Sequence, residues 1–242
     1  MTTTVLVACL AAFVAAVIQR ITGLGFALVL IGPIVLLYGP VEGVTIGVLL
    51  ALVASLSAIP LVWRQIEWRR TWWLIWPGLI AAPFGALLVR LLPEAALLLL
   101  IAAMAYFALV AGWIPALSAS LRGKPGAIVA GSAAGFMHVA SGLSGPPLAA
   151  YAVGDKWAQR RFAASVQVIF ATFSIVSVAL RGLPVSPVAD IWVLVGATAA
   201  GIAIGSILSR NVSPRIARIA MLAIAWAGAT VVLVRGVLAL LS

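Results

Sequence analysis

Two short polar, glycine-rich segments interrupt an otherwise apolar chain. The first reads Gln19-Arg20-Ile21-Thr22-Gly23-Leu24-Gly25-Phe26. The second reads His138-Val139-Ala140-Ser141-Gly142-Leu143-Ser144-Gly145-Pro146-Pro147. Their residue types suit anion recognition. Gly23 and Gly25 let the backbone leave helical geometry without a Cβ clash. A helix restarting at Phe26 presents N–H groups that have no intrahelical partner and carry partial positive charge. Such an end is an anion site. Pro146 and Pro147 suit a second helix start, because proline lacks the N–H that would be unpaired there. Thr22, Ser141 and Ser144 add hydroxyls, and Gln19 adds an amide. Neither segment holds a carboxylate. The expected substrate-binding set is Gln19, Arg20, Thr22, Gly23, Gly25, Phe26, His138, Ser141, Gly142, Ser144, Gly145 and Pro146.

Three of these residues have competing readings. Arg20 follows a short apolar run, so it contacts substrate, snorkels to the membrane interface, or caps backbone carbonyls at the end of its helix. His138, the single histidine, either packs against a neighbouring helix or contacts substrate and handles protons. Gly142-Leu143-Ser144-Gly145 matches the Gly-x-Ser-Gly around the nucleophile of rhomboid intramembrane proteases. Such chemistry needs a histidine within hydrogen-bond reach of the serine. On one continuous helix His138 and Ser144 stand about 240° apart, at roughly 3.6 residues per turn. The expectation is therefore that they do not meet and that the protein is not an enzyme. No zinc-ligand cluster, P-loop or dinucleotide fingerprint is present, so no cofactor is expected.

The elements that position these segments must be membrane helices. The chain has 242 residues, of which 65% are hydrophobic and 8% charged, with mean hydropathy +1.26. Apolar runs near 4–18, 26–38, 44–63, 71–92, 95–114, 127–140, 147–154, 162–180, 188–209 and 217–240 fill almost all of it. A spanning helix needs about 20 apolar residues, so the fold class is an all-α polytopic membrane protein. The runs at 26–38, 127–140 and 147–154 are too short to cross upright, and each borders a glycine-rich break. In lipid an unpaired backbone polar group costs on the order of several kcal/mol, so such breaks survive only inside protein or along a cavity. Paired breaks in corresponding halves point to a transporter's binding site.

The net charge of +10 reflects topology rather than a nucleic-acid partner. Basic residues cluster in short loops: Arg64, Arg69 and Arg70; Arg122 and Lys124; Lys156, Arg160 and Arg161; and Arg210, Arg215 and Arg218. Trp63, Trp68, Trp72, Trp73, Trp76 and Trp157 flank them, as interfacial aromatics do. The acidic residues Glu42, Glu67, Glu94, Asp155 and Asp190 all sit in or beside loops. Buried carboxylates usual in cation-driven carriers are missing from the runs, which favours an anion substrate and leaves the coupling ion open. Cys9 is the only cysteine, so no intrachain disulfide forms. The residues before it are too few and carry no basic side chain for a signal peptide.

The halves 1–120 and 121–242 resemble each other. Gly23 aligns with Gly142 at an offset of 119, and 81–90 aligns with 201–210 at an offset of 120. Both later segments place small residues four apart, which permits close helix contact. All four basic loops fall on the cytoplasmic side only if the two halves are inverted repeats, each a re-entrant broken-helix hairpin plus three transmembrane helices. Loop 64–70 is then inside, loop 181–187 outside, and both termini outside.

These motifs resemble those of the sulfite exporter TauE/SafE family. The pattern Gln-x-x-x-Gly-x-Gly-Phe appears as Gln19, Gly23, Gly25 and Phe26. The pattern Ser-Gly-Pro-Pro-Leu followed by tyrosine appears as Ser144, Gly145, Pro146, Pro147, Leu148 and Tyr151. The second motif differs from many members at Met137, His138 and Val139, where further glycines are common. The resemblance implies a permease of the bacterial inner membrane exporting sulfite, sulfonates or similar anions, with the lipid bilayer and a small anion as its partners. An anion channel is the nearest alternative, and a purely structural membrane subunit leaves the paired breaks unexplained.

Overall fold

The computed structural model describes residues 2–209 and 211–241; Arg210 of the fourth basic cluster lies outside them. Among the described residues the regular elements are all helical. They are α1 (Thr3–Thr22), α2 (Phe26–Tyr38), α3 (Pro40–Val62), α4 (Trp68–Leu91), α5 (Glu94–Val110), α6 (Pro115–Ser120), α7 (Gly123–Ser141), α8 (Gly145–Gly154), α9 (Gln159–Arg181), α10 (Val188–Leu208) and α11 (Pro214–Leu241). Seven of these, α1, α3, α4, α5, α9, α10 and α11, are long and apolar enough to cross a membrane, α3 and α5 together with the short 3-10 turns Trp63–Gln65 and Ala111–Trp113 that extend them.

Two helices are longer than the apolar runs suggest. α1 has 20 residues and reaches the break itself. α7 has 19 residues and starts at Gly123, so the polar Gly123-Lys124-Pro125-Gly126 is its first turn rather than a loop. Proline is tolerated there because the first-turn N–H has no helical acceptor. The short α6 has too little periodicity to be seen in the sequence.

Backbone-to-backbone approach at glycine builds the framework. The closest helix pairs are α4 with α7 and α1 with α10. A Cβ added at Gly85 would lie 2.6 Å from Phe136 O, and one at Gly205 would lie 3.1 Å from Val17 O. Gly85 and Gly205 are the aligned positions at offset 120, and Val17 and Phe136 correspond at offset 119. The same contact is thus made twice, with the halves exchanged. Gly201, four residues before Gly205, faces Phe13 O on α1 in the same way, at 2.5 Å. The four-residue spacing of small residues therefore does bring helices into contact.

Two large apolar clusters and three smaller ones fill the interior. One large cluster joins α1, α2, α3 and α5, with Leu194 and Val232. The other joins α4, α7, α8 and α9. The breaks interlock them: Leu143 of the second break belongs to the first cluster, and Leu24 of the first break packs against the second.

Charged contacts fix which loops share an end. Arg160 Nε donates to Gln65 Oε1 at 3.0 Å, and Arg161 pairs with Glu67 at 3.1 Å. Arg70 pairs with Glu67 at 3.5 Å and Asp155 at 3.2 Å, and its guanidinium lies over Trp157. Asp155 also accepts from Gly123 N at 3.0 Å. Segments 63–67, 121–124 and 154–161 thus gather at one basic end. At the far end of α9, Glu42 in the first turn of α3 accepts from Ser186 N at 2.9 Å and Val185 N at 3.2 Å. Loops 63–67 and 182–187 lie at opposite ends of α9. Cysteines introduced into a Cys9-free background at 64–70 and 155–161 are expected to label from one side of the membrane, and at 182–187 from the other. Same-side labelling of 64–70 and 182–187 would refute this arrangement.

Candidate functional site

Each break is built by the same backbone device. α1 is stopped by Gly23, at φ +80°, whose N–H bonds Gln19 O at 2.7 Å. α7 is stopped by Gly142, at φ +76°, whose N–H bonds His138 O at 2.8 Å. A left-handed residue after a helix is nearly always glycine, because a Cβ would clash there. A new helix then starts three residues later in each case, at Phe26 and at Gly145. Neither start has a side-chain cap. At about 1.5 Å per residue, the 13 residues of α2 and the 10 of α8 span about 20 Å and about 15 Å. The breaks therefore sit inside the bundle rather than at its ends.

The first break is half-buried and partly bound by its neighbours. Gln19 Nε2 donates to Gln167 Oε1 at 3.4 Å, and Gln167 Nε2 donates to Gly23 O at 3.3 Å. Gln19 Oε1 is buried with no partner. The Thr22 hydroxyl meets the carbonyls of Ile18, at 2.8 Å, and Leu24. Gly25 adopts φ +110° beneath Met221 of α11, and Phe26 is buried in the first cluster. Arg20 turns away to α10, where its Nε donates to Ser206 Oγ at 2.7 Å. Ser206 is two residues from the end of α10.

The second break is more deeply enclosed. Ser141 Oγ donates to Met137 O at 2.9 Å and accepts from Leu143 N at 3.3 Å. His138 Nδ1 lies 2.8 Å from Ser144 Oγ, and its Nε2 lies 3.0 Å from Ser174 Oγ. This corrects the expectation that His138 and Ser144 do not meet. The 240° separation holds only on a continuous helix; the turn at Gly142 folds Ser144 back over the last turn of α7. Phe170 stacks on the imidazole and Phe173 tilts against it. His138 and Ser144 are each 2% exposed. The second partner of His138 is thus a serine, not a carboxylate. Pro146 and Pro147, both buried, remove two of the four N–H groups that a helix start otherwise leaves unpaired. The remaining donors of this helix start are the amides of Ser144 and Gly145.

A small apolar cavity, about 10 Å³, joins the two regions. It lies between Ala27, Leu28 and Ile31 of α2, Ala225 of α11 and Leu143 of the second break. It has room for about one water.

Three polar residues outside the sequence-derived set bond to the break segments: Gln167, Ser174 and Arg181, all on α9. Arg181 donates from Nε to Thr45 Oγ1 at 3.1 Å, from one terminal nitrogen to Val139 O at 2.9 Å, and from the other to Val41 O at 2.7 Å. Their signal in the sequence is a polar residue every seven positions along one apolar run, which sets them on one helix face.

The family model of the sulfite exporter TauE/SafE matches residues 8–232. No curated protein and no solved structure matches the chain. The match takes in both breaks, all seven long apolar helices in whole or in large part, and the helix contacts that repeat between the halves, so this multi-pass membrane protein belongs to the sulfite exporter TauE/SafE family, a family of membrane transporters.

Proposed function

We propose that the protein is a secondary carrier that exports small sulfur-containing or organic oxyanions, such as sulfite or sulfonates, across the bacterial inner membrane. The observation that carries this reading is the pair of left-handed glycine stops, each followed by an uncapped helix start inside the bundle. The substrate binds between them near the midplane, held by backbone N–H groups at Phe26–Leu28 and Ser144–Gly145 and by the nearby hydroxyls. The halves 1–120 and 121–242 are inverted repeats; the exchanged Gly85–Phe136 and Gly205–Val17 contacts and the opposed loops support this. Inverted repeats bring broken helices together from opposite faces.

The small cavity favours a carrier over an open channel. An oxyanion does not fit a site with room for one water, so loading requires relative movement of the two halves. The hydrogen bond between His138 and Ser144 is the one observation that favours acyl-transfer chemistry. We read it instead as a polar clamp that satisfies a buried imidazole on both nitrogens, which buried polar groups require.

The test is uptake by purified protein in sealed vesicles of a panel holding sulfite, short sulfonates and small carboxylates. Saturable uptake of at least one sulfur oxyanion is expected, and Ser144 is expected to stay unlabelled by a fluorophosphonate probe in the same preparation. No uptake of any member, or covalent labelling of Ser144, would overturn the reading.

A further inference from the structure

α9 carries a polar stripe that passes both breaks. Gln167 touches the first break, Ser174 meets His138 at the second, and Arg181 grips Val139 O just before that break. Successive members drift by only about 20° around the helix. Ser177 lies within about 60° of Ser174 and about 40° of Arg181 at 100° per residue, so it shares their face. Its hydroxyl is buried, at 0% exposure, and has no hydrogen-bond partner.

Arg181 is held by a side-chain hydroxyl and two carbonyls, all neutral. The ion pairs among the described residues join Arg70 and Arg161 to Glu67 and Asp155 at the opposite end. Glu42, next to Val41, directs its carboxylate to the amides of Val185 and Ser186 and the Ser186 hydroxyl. The guanidinium is half-buried, and no carboxylate pairs with it among the described residues. It has five N–H donors, of which three are used. A half-buried cation with spare donors, one turn from an unpartnered buried hydroxyl, has the chemistry to hold an oxyanion.

We infer that Arg181 and Ser177 form a second anion subsite, at the end of the bundle away from the basic loops, which a sulfite-sized oxyanion occupies as it leaves or enters on that side. The inference rests on the anion-transport reading. Arg181 supplies charge, Ser177 supplies an O–H donor, and Thr45 fixes the guanidinium plane.

Sulfite transport measured from each face of sealed vesicles, right-side-out and inside-out, tests it. Arg181→Gln is expected to raise KM on the face of loop 182–187 by about tenfold or more, the loss of a hydrogen bond to a charged group. Ser177→Ala is expected to raise it by about threefold. KM on the basic-loop face should stay as in the wild type. Should Arg181→Gln not fold, Arg181→Lys, which keeps the charge but loses the planar fork, and Ser177→Ala decide the matter. KM unchanged in these variants, or raised equally on both faces, overturns the subsite while leaving transport intact. Wild-type protein that moves no sulfur oxyanion overturns the transport reading and the subsite with it.

Discussion

Gly135→Val is expected to unfold the α4–α7 pair. A Cβ at Gly135 would stand 2.5 Å from Gly78 Cα and 2.6 Å from Gly78 C, and one at Gly131 would stand 2.9 Å from Leu74 C. These obstacles are backbone atoms, which cannot rotate aside as a side chain can. Inserted methyl groups in well-packed cores cost about 1–3 kcal/mol. Here the whole helix must retreat, so the loss should reach or pass the top of that range. Helix association in lipid relies on van der Waals packing, because lipid tails are as apolar as the side chains they would replace. Separating α4 from α7 therefore forfeits most of what holds them together. A thermal melt in detergent should show a large drop for Gly135→Val. Gly196→Ala, where an added Cβ meets nothing within 4 Å, should melt at or above the wild-type temperature. A wild-type melting temperature for Gly135→Val would show that the helices are not in contact there.

That framework was legible in the sequence where glycine had a steric job and where basic residues clustered. The breaks at Gly23 and Gly142 stand out because a helix cannot turn left-handed on most other residues, and the structure puts both in that conformation. The basic loops were legible because charge is excluded from lipid, and their contacts gather them at one end. Gly201 and Gly205 were legible because small residues spaced by four line one face of a helix. The direction of the chain after a break was not legible. Helical periodicity says where Ser144 would point if α7 continued, and nothing about where it points once Gly142 has reversed the chain. The His138–Ser144 contact was missed for that reason. Gln167, Ser174 and Arg181 were hidden differently. Each is an isolated polar residue in a long apolar run, and only their shared face, together with what α3 and α7 set opposite it, gives them meaning. Arg20 had competing readings, and its Nε bonds the Ser206 hydroxyl on α10, which is neither a carbonyl of its own helix nor a residue of either break.

The largest functional effects should come from the two glycine stops, and they should be unequal. Gly23→Val and Gly142→Val both force a β-branched residue to positive φ, which hard-sphere sterics all but forbid. The left-handed conformation costs an L-residue about 1–2 kcal/mol even before branching is counted. Either valine should abolish sulfite uptake, because the helix that follows would start from the wrong place and aim its N–H groups elsewhere. Asparagine separates the two positions. It tolerates left-handed geometry, so space decides the outcome. At Gly23 an added Cβ has only Ala163 Cβ near it, at 3.6 Å, an ordinary contact. At Gly142 it would lie 2.8 Å from Ile31 Cδ1 and 3.4 Å from Ile31 Cγ1, with Ile31 itself packed in the first cluster. Gly23→Asn should therefore keep measurable uptake, while Gly142→Asn should lose at least about tenfold, the effect of some 1.4 kcal/mol. Uptake by vesicles, compared at equal amounts of folded protein, reads this directly. If both valine variants transport sulfite as the wild type does, the breaks are structural turns and the anion crosses somewhere else. If Gly23→Asn fails as completely as Gly142→Asn, the first break recognises substrate through the space that glycine leaves open, and not through its turn alone.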